Sequence, residues 1–400
     1  MFDDPRDRTG RLPEGDPEEP WTEAPRTRRF PSAVAALLAA LALLASGIGI
    51  GWGLRGSDSP TPVVVGSPDQ PTRDFSTQEV AERVSPAVVS IYTATAANPF
   101  NSEGRQREVP RGAGTGMLLT SSGQVLTANH VVSGATSITI EIDGRAGRYS
   151  ANVVGASPSA DVALLQIQNV SGLPTVRIGD SGMVQEGDEV VAIGNARGRG
   201  SQASSGTVTA LNRTIVVGDG DGVLGRLNDL IEVSTLIEEG QSGGPLVNSK
   251  AEVVGMVTAA RRAFFRDEAS RTAFAIPSSE SQRIVDEVRA GRASSTIFIG
   301  PVGYMGIAAD EVGPAIANRL GLSSASGVLV VNAYPGGPAA QAGIPGGSVI
   351  TAINGTTVRS IQGLSAAIHV HKPGETIRVT WVDPQGTHES DVTLVAGPAV

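Results

Sequence analysis

Short runs in which apolar and polar residues alternate recur between residues 77 and 277. Clear examples are SITIEI (137–142), GTVTAL (206–211) and AEVVGMVTA (251–259). A period of two residues indicates β-strands, and the Gly, Ser, Asn and Asp residues between the runs indicate turns. Such spacing is typical of an antiparallel sandwich or barrel. The pattern therefore predicts a mainly β fold for the central part of the chain.

A smaller number of segments have the pattern of helices. TQEVAERV (77–84) is one, and residues 278–291 form another, which opens on serines and closes on a glycine. A second structural unit begins near residue 295. In that unit we predict strands at 327–334 and 376–382 and helices near 312–320 and 360–370.

Residues 33–54 form a run of 22 residues without a charged side chain. A membrane-spanning helix needs about 20 such residues, so the length fits. The alternatives are a buried helix and a cleavable signal peptide. A signal peptide has a short basic start and an apolar stretch of about 7–15 residues, whereas here a long tail of mixed charge precedes a longer run. Arg28 and Arg29 fit a twin-arginine signal only in part. We expect a transmembrane helix at 33–54.

The charges beside this run predict its orientation. Arg26, Arg28 and Arg29 precede it, and only Arg55 follows closely. Because positive charge stays on the cytoplasmic side, the N-terminus is expected inside the cell and everything after the span outside it. We therefore expect a single-pass protein of the cell membrane, with a disordered cytoplasmic tail at 1–32 and a Pro/Ser-rich linker at 55–76.

Composition excludes several classes of function. The 400-residue chain has a formal net charge of −9, so we expect no nucleic-acid partner. It contains no Cys, which excludes disulfides, thiol catalysis and thiolate metal sites. No cluster of metal-ligating residues is visible in the sequence. We expect neither a metal nor a cofactor.

Three residues, each ordinary alone, together suggest nucleophilic catalysis. His130 follows an apolar strand in VLTANHVV, Asp161 opens the apolar run in SADVALLQI, and Ser242 lies in IEEGQSGGPLVNS (237–249). Separately they could be a structural histidine, a strand-end cap and a loop serine. Together they follow the order His, Asp, Ser within one β-rich unit, which is the order of chymotrypsin-type double barrels. A base that reaches the hydroxyl and a carboxylate that orients the base would complete the site.

The glycines around Ser242 have a role in the same interpretation. The backbone N–H groups of Gly240 and Ser242 could converge on the oxygen of a tetrahedral intermediate, which forms an oxyanion hole. Glycine at positions 240 and 243 admits backbone angles and a close approach of substrate that a side chain would hinder.

These motifs resemble those of the HtrA/DegP serine proteases. TANHVV, DVALLQI and GQSGGPLVN carry the resemblance, with GTGMLLTSSGQVLTANH before them and AFAIP (273–277) after, and it extends over residues 77–396. It implies a chymotrypsin-like double β-barrel protease domain at 77–292, followed by a PDZ domain at 293–400. It further implies cleavage of unfolded or damaged proteins outside the cytoplasm, and a homotrimer. On this resemblance His130 is the general base, Asp161 orients it and Ser242 is the nucleophile.

The second unit also matches the family. GYMGI (303–307) resembles the carboxylate-binding loop of PDZ domains, and PAAQAGIPGGSVITAING (338–355) resembles the strands and turn that follow. We expect Tyr304 in this loop, and the N–H groups of Met305, Gly306 and Ile307 to bind a peptide's C-terminal carboxylate. The peptide would add a strand beside 305–309, against the helix near 361–370.

The resemblance is incomplete around the nucleophile. Glu238, Glu239 and Gln241 stand where the family usually has Asn, Pro and Asn, so two carboxylates could face the oxyanion hole. Trypsin-like enzymes that cleave after basic residues keep an Asp six residues before the nucleophile. Leu236 occupies that position here, so we expect a specificity pocket for apolar side chains.

We therefore interpret the chain as a membrane-anchored, extracytoplasmic serine endopeptidase with a PDZ domain that binds substrate or effector C-termini. One rival is a chaperone or PDZ peptide-binding scaffold whose protease site is mostly latent. Another is a stress-sensing regulator that cuts one membrane partner, which differs in its substrate rather than in its chemistry.

Overall fold

The computed structural model describes residues 74–96, 100, 108–195, 200–218, 224–238, 240–260, 272–321 and 326–400. The predicted tail, the predicted transmembrane helix and most of the predicted linker lie outside these ranges. Within them, no helix is long and apolar enough to cross a membrane.

The first part of the described chain is mainly β, as the alternating pattern predicts. Its elements in chain order are α1 (Thr77–Val84), β1 (Val88–Ala96), β2 (Glu108–Leu118), β3 (Gln124–Ala128), α2 (Asn129–Val132), β4 (Ser137–Ile142), β5 (Arg148–Ser157), β6 (Val162–Ile167), β7 (Arg177–Ile178), β8 (Glu189–Gly194), β9 (Gln202–Gly218), β10 (Leu224–Ser234), β11 (Pro245–Asn248), β12 (Glu252–Ala260), β13 (Thr272–Pro277) and α3 (Ser278–Arg289).

These strands close into two barrels. The first has the order β5-β4-β1-β2-β3-β6, and a further pairing of β5 with β6 closes it. The second has the order β11-β8-β9-β10-β13-β12, and pairing of β11 with β12 closes it. Closure leaves no free edges on these strands. The double barrel predicted from the sequence motifs is thus the observed arrangement.

Apolar residues on the inner strands alternate between two cores. On β6, Ala163 and Leu165 face the core of the first barrel, whereas Val162 and Leu164 join a cluster that also contains residues of the second barrel. A strand buried on both faces reads as a continuous apolar run rather than an alternating one. This explains the run VALL directly after Asp161, and it places that residue at the junction of the two barrels.

The remaining elements form the second unit. They are β14 (Phe298–Ile299), β15 (Gly303–Tyr304), β16 (Ile307–Glu311), α4 (Pro314–Arg319), β17 (Val328–Ala333), α5 (Pro338–Gln341), β18 (Val349–Ile353), β19 (Thr356–Thr357), α6 (Ile361–His369), β20 (Thr376–Asp383), β21 (Gly386–Thr393) and β22 (Val395–Ala396). The main sheet has the order β16-β17-β18-β20-β21, with β19 on β18, and β15 pairs with β22.

Backbone hydrogen bonds join residues beyond 292 to the first barrel at both ends of this segment. The short strand β14 pairs antiparallel with β5. Near residue 400, the N–H of Ala399 donates to the carbonyl of Ala135 at 2.9 Å, and the N–H of Gly134 donates to the carbonyl of Ala399 at 2.7 Å. The predicted domain boundary at 292/293 stays a prediction. Strand β14 lies beyond this boundary, although it belongs to the sheet of the first barrel.

Candidate active site

Backbone contacts hold His130 and Asp161 together. Strand β3 ends at Ala128, and α2 begins directly after it, so His130 is the second residue of this short helix. The N–H of Asn129 donates to the Asp161 carbonyl at 3.1 Å, and the N–H of His130 donates to Asp161 Oδ1 at 2.8 Å. Asp161 has a φ of 55°, a left-handed conformation that Asp adopts more readily than most residues. It turns the chain into β6.

The two side chains also form a direct pair. His130 Nδ1 lies 2.8 Å from Asp161 Oδ2, and the exposed fractions of the two side chains are 50% and 9%. An ionised carboxylate only accepts hydrogen bonds, so Nδ1 carries the proton and Nε2 is left as the acceptor in the neutral ring. Burial lowers the pKa of His130, but the charge of Asp161 and its hydrogen bond outweigh burial and raise the pKa above its ordinary value.

Thr258 links this pair to the nucleophile. Its side-chain hydroxyl donates to Asp161 Oδ2, and its backbone carbonyl accepts a long hydrogen bond of 3.4 Å from Ser242 Oγ. Thr258 lies on β12 of the second barrel, whereas His130 and Asp161 belong to the first. The site is thus assembled across the two barrels. Sequence reasoning missed Thr258; its one signal was a hydroxyl directly after the buried apolar run VVGMV (253–257).

The hydroxyl of Ser242 is not bonded to the histidine in this structure. Among the hydrogen bonds of the described residues, none joins Ser242 Oγ to His130 Nε2. Catalytic hydrogen bonds are often loose without substrate and tighten when it binds. The hydroxyl would have to leave the Thr258 carbonyl, by rotation about its Cα–Cβ bond, before His130 could accept its proton.

Backbone hydrogen bonds fix the turn at residues 240–244. The N–H of Gly243 donates to the Val257 carbonyl at 2.7 Å, and the N–H of Gly244 donates to the Gln241 carbonyl at 3.0 Å. Within the described part of the chain, the N–H groups of Gly240 and Ser242 have no hydrogen-bond acceptor. Two free N–H groups beside a serine hydroxyl are what an oxyanion hole requires.

The residues that depart from the family pattern have separate positions. Gln241 is almost fully buried, and its Oε1 accepts from the N–H of Glu238 at 2.8 Å. In return, the N–H of Gln241 donates to the Glu238 carbonyl at 3.2 Å. Glu238 is exposed to solvent, while Glu239 lies outside the described residues. Leu236 is 56% exposed, so in this structure its side chain does not line an enclosed pocket.

The predicted carboxylate-binding loop follows β15. Met305 is buried, Gly306 has a φ of 73°, and the N–H groups of both donate to no acceptor among the described residues. Strand β16, which begins at Ile307, forms the edge of its sheet and pairs only with β17 among the described strands. Its other edge is therefore available for an added strand.

An aromatic residue that sequence reasoning missed packs against this loop. The ring of Phe100 stacks on Tyr304, with centroids 6.0 Å apart and planes 9° apart. A Cβ added at Gly306 would lie 2.7 Å from the Phe100 ring, so the glycine permits this contact. Burial, and to a smaller extent Tyr334, raises the pKa of Tyr304 to about 12, which keeps its hydroxyl protonated.

Two parts of the chain match models of known domain families. Residues 114–256 match the model of the trypsin-like peptidase domain, and residues 329–383 match the model of the PDZ domain. The chain therefore combines a trypsin-like peptidase domain with a PDZ domain.

Individual relatives then define the family. The chain is 35% identical over 296 residues to a DegP-like periplasmic serine endoprotease of Brucella suis biovar 1 (strain 1330), which is 73% of this chain and 54% of that protein. It is 32% identical over 330 residues to the periplasmic pH-dependent serine endoprotease DegQ of Escherichia coli (strain K12), which is 78% of this chain and 69% of DegQ. The chain belongs to the HtrA/DegP family of serine proteases.

The match spans about half the length of the DegP-like proteins, at 54%. Among solved structures, the HtrA-type protease AlgW with a decapeptide has a TM-score of 0.46 and 25% identity, and the alignment covers 81% of this chain and 99% of that one.

Proposed function

We propose that this protein is a serine endopeptidase, anchored in the cell membrane by residues 33–54, that hydrolyses misfolded or regulatory proteins outside the cytoplasm. The observation that carries the proposal is the pair His130–Asp161 joined through Thr258 to Ser242. Relatives named as periplasmic serine endoproteases support the reaction and the compartment.

Each residue has a defined step in the proposed mechanism. His130 Nε2 accepts the proton of Ser242 Oγ as that oxygen attacks the carbonyl carbon of the scissile bond. Asp161 holds the ring and stabilises its charged form. The N–H groups of Gly240 and Ser242 bind the oxyanion of the tetrahedral intermediate. His130 then donates its proton to the leaving amine, and water hydrolyses the acyl-enzyme by the reverse sequence.

The second unit supplies peptide recognition in this proposal. A C-terminal carboxylate binds the amides of Met305, Gly306 and Ile307, and the peptide adds a strand to the free edge of β16. The free N–H groups of Met305 and Gly306 and the edge position of β16 support this role. The family resemblance supports a homotrimer. Leu236, in place of a pocket carboxylate, favours cleavage after apolar residues.

A second candidate function is a chaperone or PDZ scaffold with a mostly latent protease site. The observation that favours it is the Ser242 hydroxyl, which donates to the Thr258 carbonyl instead of His130. The two candidates differ in one measurable property, which is turnover of a protein substrate.

Digestion of casein separates them. The wild-type chain should release peptides, whereas Ser242→Ala and His130→Ala should each reduce turnover by several orders of magnitude, because such residues act as a unit. Undiminished cleavage by Ser242→Ala would exclude the serine mechanism. If the wild type suppresses aggregation of an unfolded protein but cleaves nothing, the chaperone function is the correct one.

A further inference from the structure

The turn that carries Ser242 is attached to a single buried threonine of the other barrel. Thr115 lies on β2, and its side chain is fully buried. Its Oγ1 donates to the Gly240 carbonyl at 2.6 Å, and its backbone N–H donates to the Ser242 carbonyl at 2.9 Å. One residue thus holds the carbonyl groups on both sides of Gln241.

The direction of the Thr115 hydroxyl is set by a second contact. Its Oγ1 accepts from the N–H of Asn195 at 3.0 Å, so its one hydrogen is left for the Gly240 carbonyl. Asn195 is itself held, because its Nδ2 donates to Ser90 Oγ and its Oδ1 accepts from the N–H of Gly200 at 3.0 Å. Ser90 pairs with Thr115 across β1 and β2, and both are buried. In this network the Thr115 hydroxyl therefore always donates to the Gly240 carbonyl.

These contacts bear directly on the oxyanion hole. The three successive carbonyls of Gly240, Gln241 and Ser242 all accept hydrogen bonds, the first and third from Thr115 and the second from Gly244. Because a peptide group is planar, holding a carbonyl also orients the N–H of the same peptide. The N–H of Ser242 shares its peptide with the Gln241 carbonyl and points away from it. Thr115 fixes the peptides on either side, whose N–H groups donate to the carbonyls of Glu238 and Val257. The Ser242 peptide is thus held between two fixed peptides, and its N–H has no acceptor among the described residues.

We infer that Thr115 is a positioning residue for catalysis: it orients the turn so that the N–H groups of Gly240 and Ser242 bind the transition-state oxygen. Thr115 does not touch the substrate. A buried valine would fill the same space, so a threonine here is explained by its hydroxyl. The inference rests on the proposed role of Ser242 as nucleophile.

Thr115→Val tests the inference, because it keeps the shape and the backbone N–H and removes only the hydroxyl. Loss of a complete oxyanion donor costs about 10²–10³ in turnover, so loss of orientation should lower kcat about 10- to 100-fold. KM should stay within about twofold, since an interaction made only in the transition state is weakened. Affinity for a peptide boronic acid, whose adduct occupies the oxyanion hole, should fall by the same factor as kcat/KM.

Two further variants separate positioning from structure. Thr115→Ser keeps the hydroxyl and should restore kcat to within about threefold of the wild type. Thr93→Val is the matched control: Thr93 is also buried on this sheet, and its hydroxyl donates to the Gly112 carbonyl at 3.3 Å, away from the turn. It should lose stability as Thr115→Val does, and keep the wild-type kcat. The midpoint of the pH–rate profile should not move in any of the three.

Several outcomes would overturn the inference. They are a wild-type kcat in Thr115→Val, an equal loss in Thr115→Ser, or an equal loss in Thr93→Val. If Thr115→Val does not fold, Thr115→Ala compared with Thr115→Ser decides in the same way. Failure of the proposed function is distinguishable, because the wild type would then hydrolyse no substrate or Ser242→Ala would remain active.

Discussion

Gly243→Ala should damage the nucleophile turn in a way that the structure specifies. Gly243 has a φ of +86°, and a Cβ at this position would lie 2.2 Å from the backbone oxygen of Thr115 and 2.3 Å from Thr127 Oγ1. The first of these atoms belongs to the backbone of β2 and cannot rotate away. The turn must therefore move away from β2, and Ser242 must move with it.

The expected cost has two parts. A left-handed conformation costs a residue with a Cβ about 1–2 kcal/mol. Forcing an extra methyl group into a packed site adds about 1–3 kcal/mol. Gly172→Ala is the matched control, because Gly172 has a φ of +65° and nothing within 4 Å of the added Cβ. Gly172→Ala should bear only the conformational cost, so the free energies of unfolding of the two variants should differ by about 1–3 kcal/mol.

Urea denaturation and steady-state kinetics measure the two effects. We expect Gly243→Ala to unfold at a lower urea concentration than Gly172→Ala, and to lose at least about tenfold in kcat while Gly172→Ala keeps the wild-type value. Equal free energies of unfolding for the two variants, together with full activity in Gly243→Ala, would refute the close packing of this turn on β2.

Four further predictions concern the active site and the predicted carboxylate-binding loop. Thr258→Val removes a hydrogen-bond donor to the Asp161 carboxylate, and hydrogen bonds to charged groups are worth about 1.5–3 kcal/mol. We therefore expect kcat to fall at least about tenfold in Thr258→Val and to stay near the wild-type value in Thr258→Ser. Equal kcat values in the two variants would contradict the link between Thr258 and Asp161. Because the pKa of His130 is raised above 6.5 and only the neutral ring accepts a proton, kcat/KM should rise with pH with a midpoint above 6.5, and a midpoint at or below that value would count against His130 as base. The stability due to the same raised pKa is complete below pH 6.5 and is lost as pH rises through the pKa of the folded state, so it should change in the opposite direction to activity. Amidation of a bound peptide's C-terminus should weaken its binding to Met305–Ile307 about tenfold or more in calorimetry, whereas equal affinities would remove the proposed role of that loop.

Local periodicity was sufficient to predict several elements closely. The helix α1 and the strand β4 have the predicted bounds, 77–84 and 137–142, and α6 differs from the prediction by one residue at each end. Each of these segments carries its own apolar pattern and packs on one side only. By contrast, β9 extends over residues 202–218 although only 206–211 were predicted. It pairs with β8 near its start and with β10 along the rest, and pairing partners are not visible in a local pattern.

Some residues of the candidate site could be predicted from the sequence and others could not. His130, Asp161 and Ser242 were predicted because their chain order and flanking strands form a recognisable motif, although their roles stay predictions. Thr115 and Thr258 were missed, since a single threonine in an apolar strand is common in β-sheets. Their importance comes from contacts between the barrels, which only the folded arrangement shows.

Labelling by a fluorophosphonate, followed by mass spectrometry of the digested protein, tests the central claim most directly. The reagent forms a bond to a serine oxygen only where a base and an oxyanion hole activate it. We predict an adduct on the peptide that contains Ser242 in the wild-type chain, and much slower labelling in His130→Ala. An unlabelled Ser242, under conditions in which a reference serine protease in the same tube reacts fully, would contradict the account.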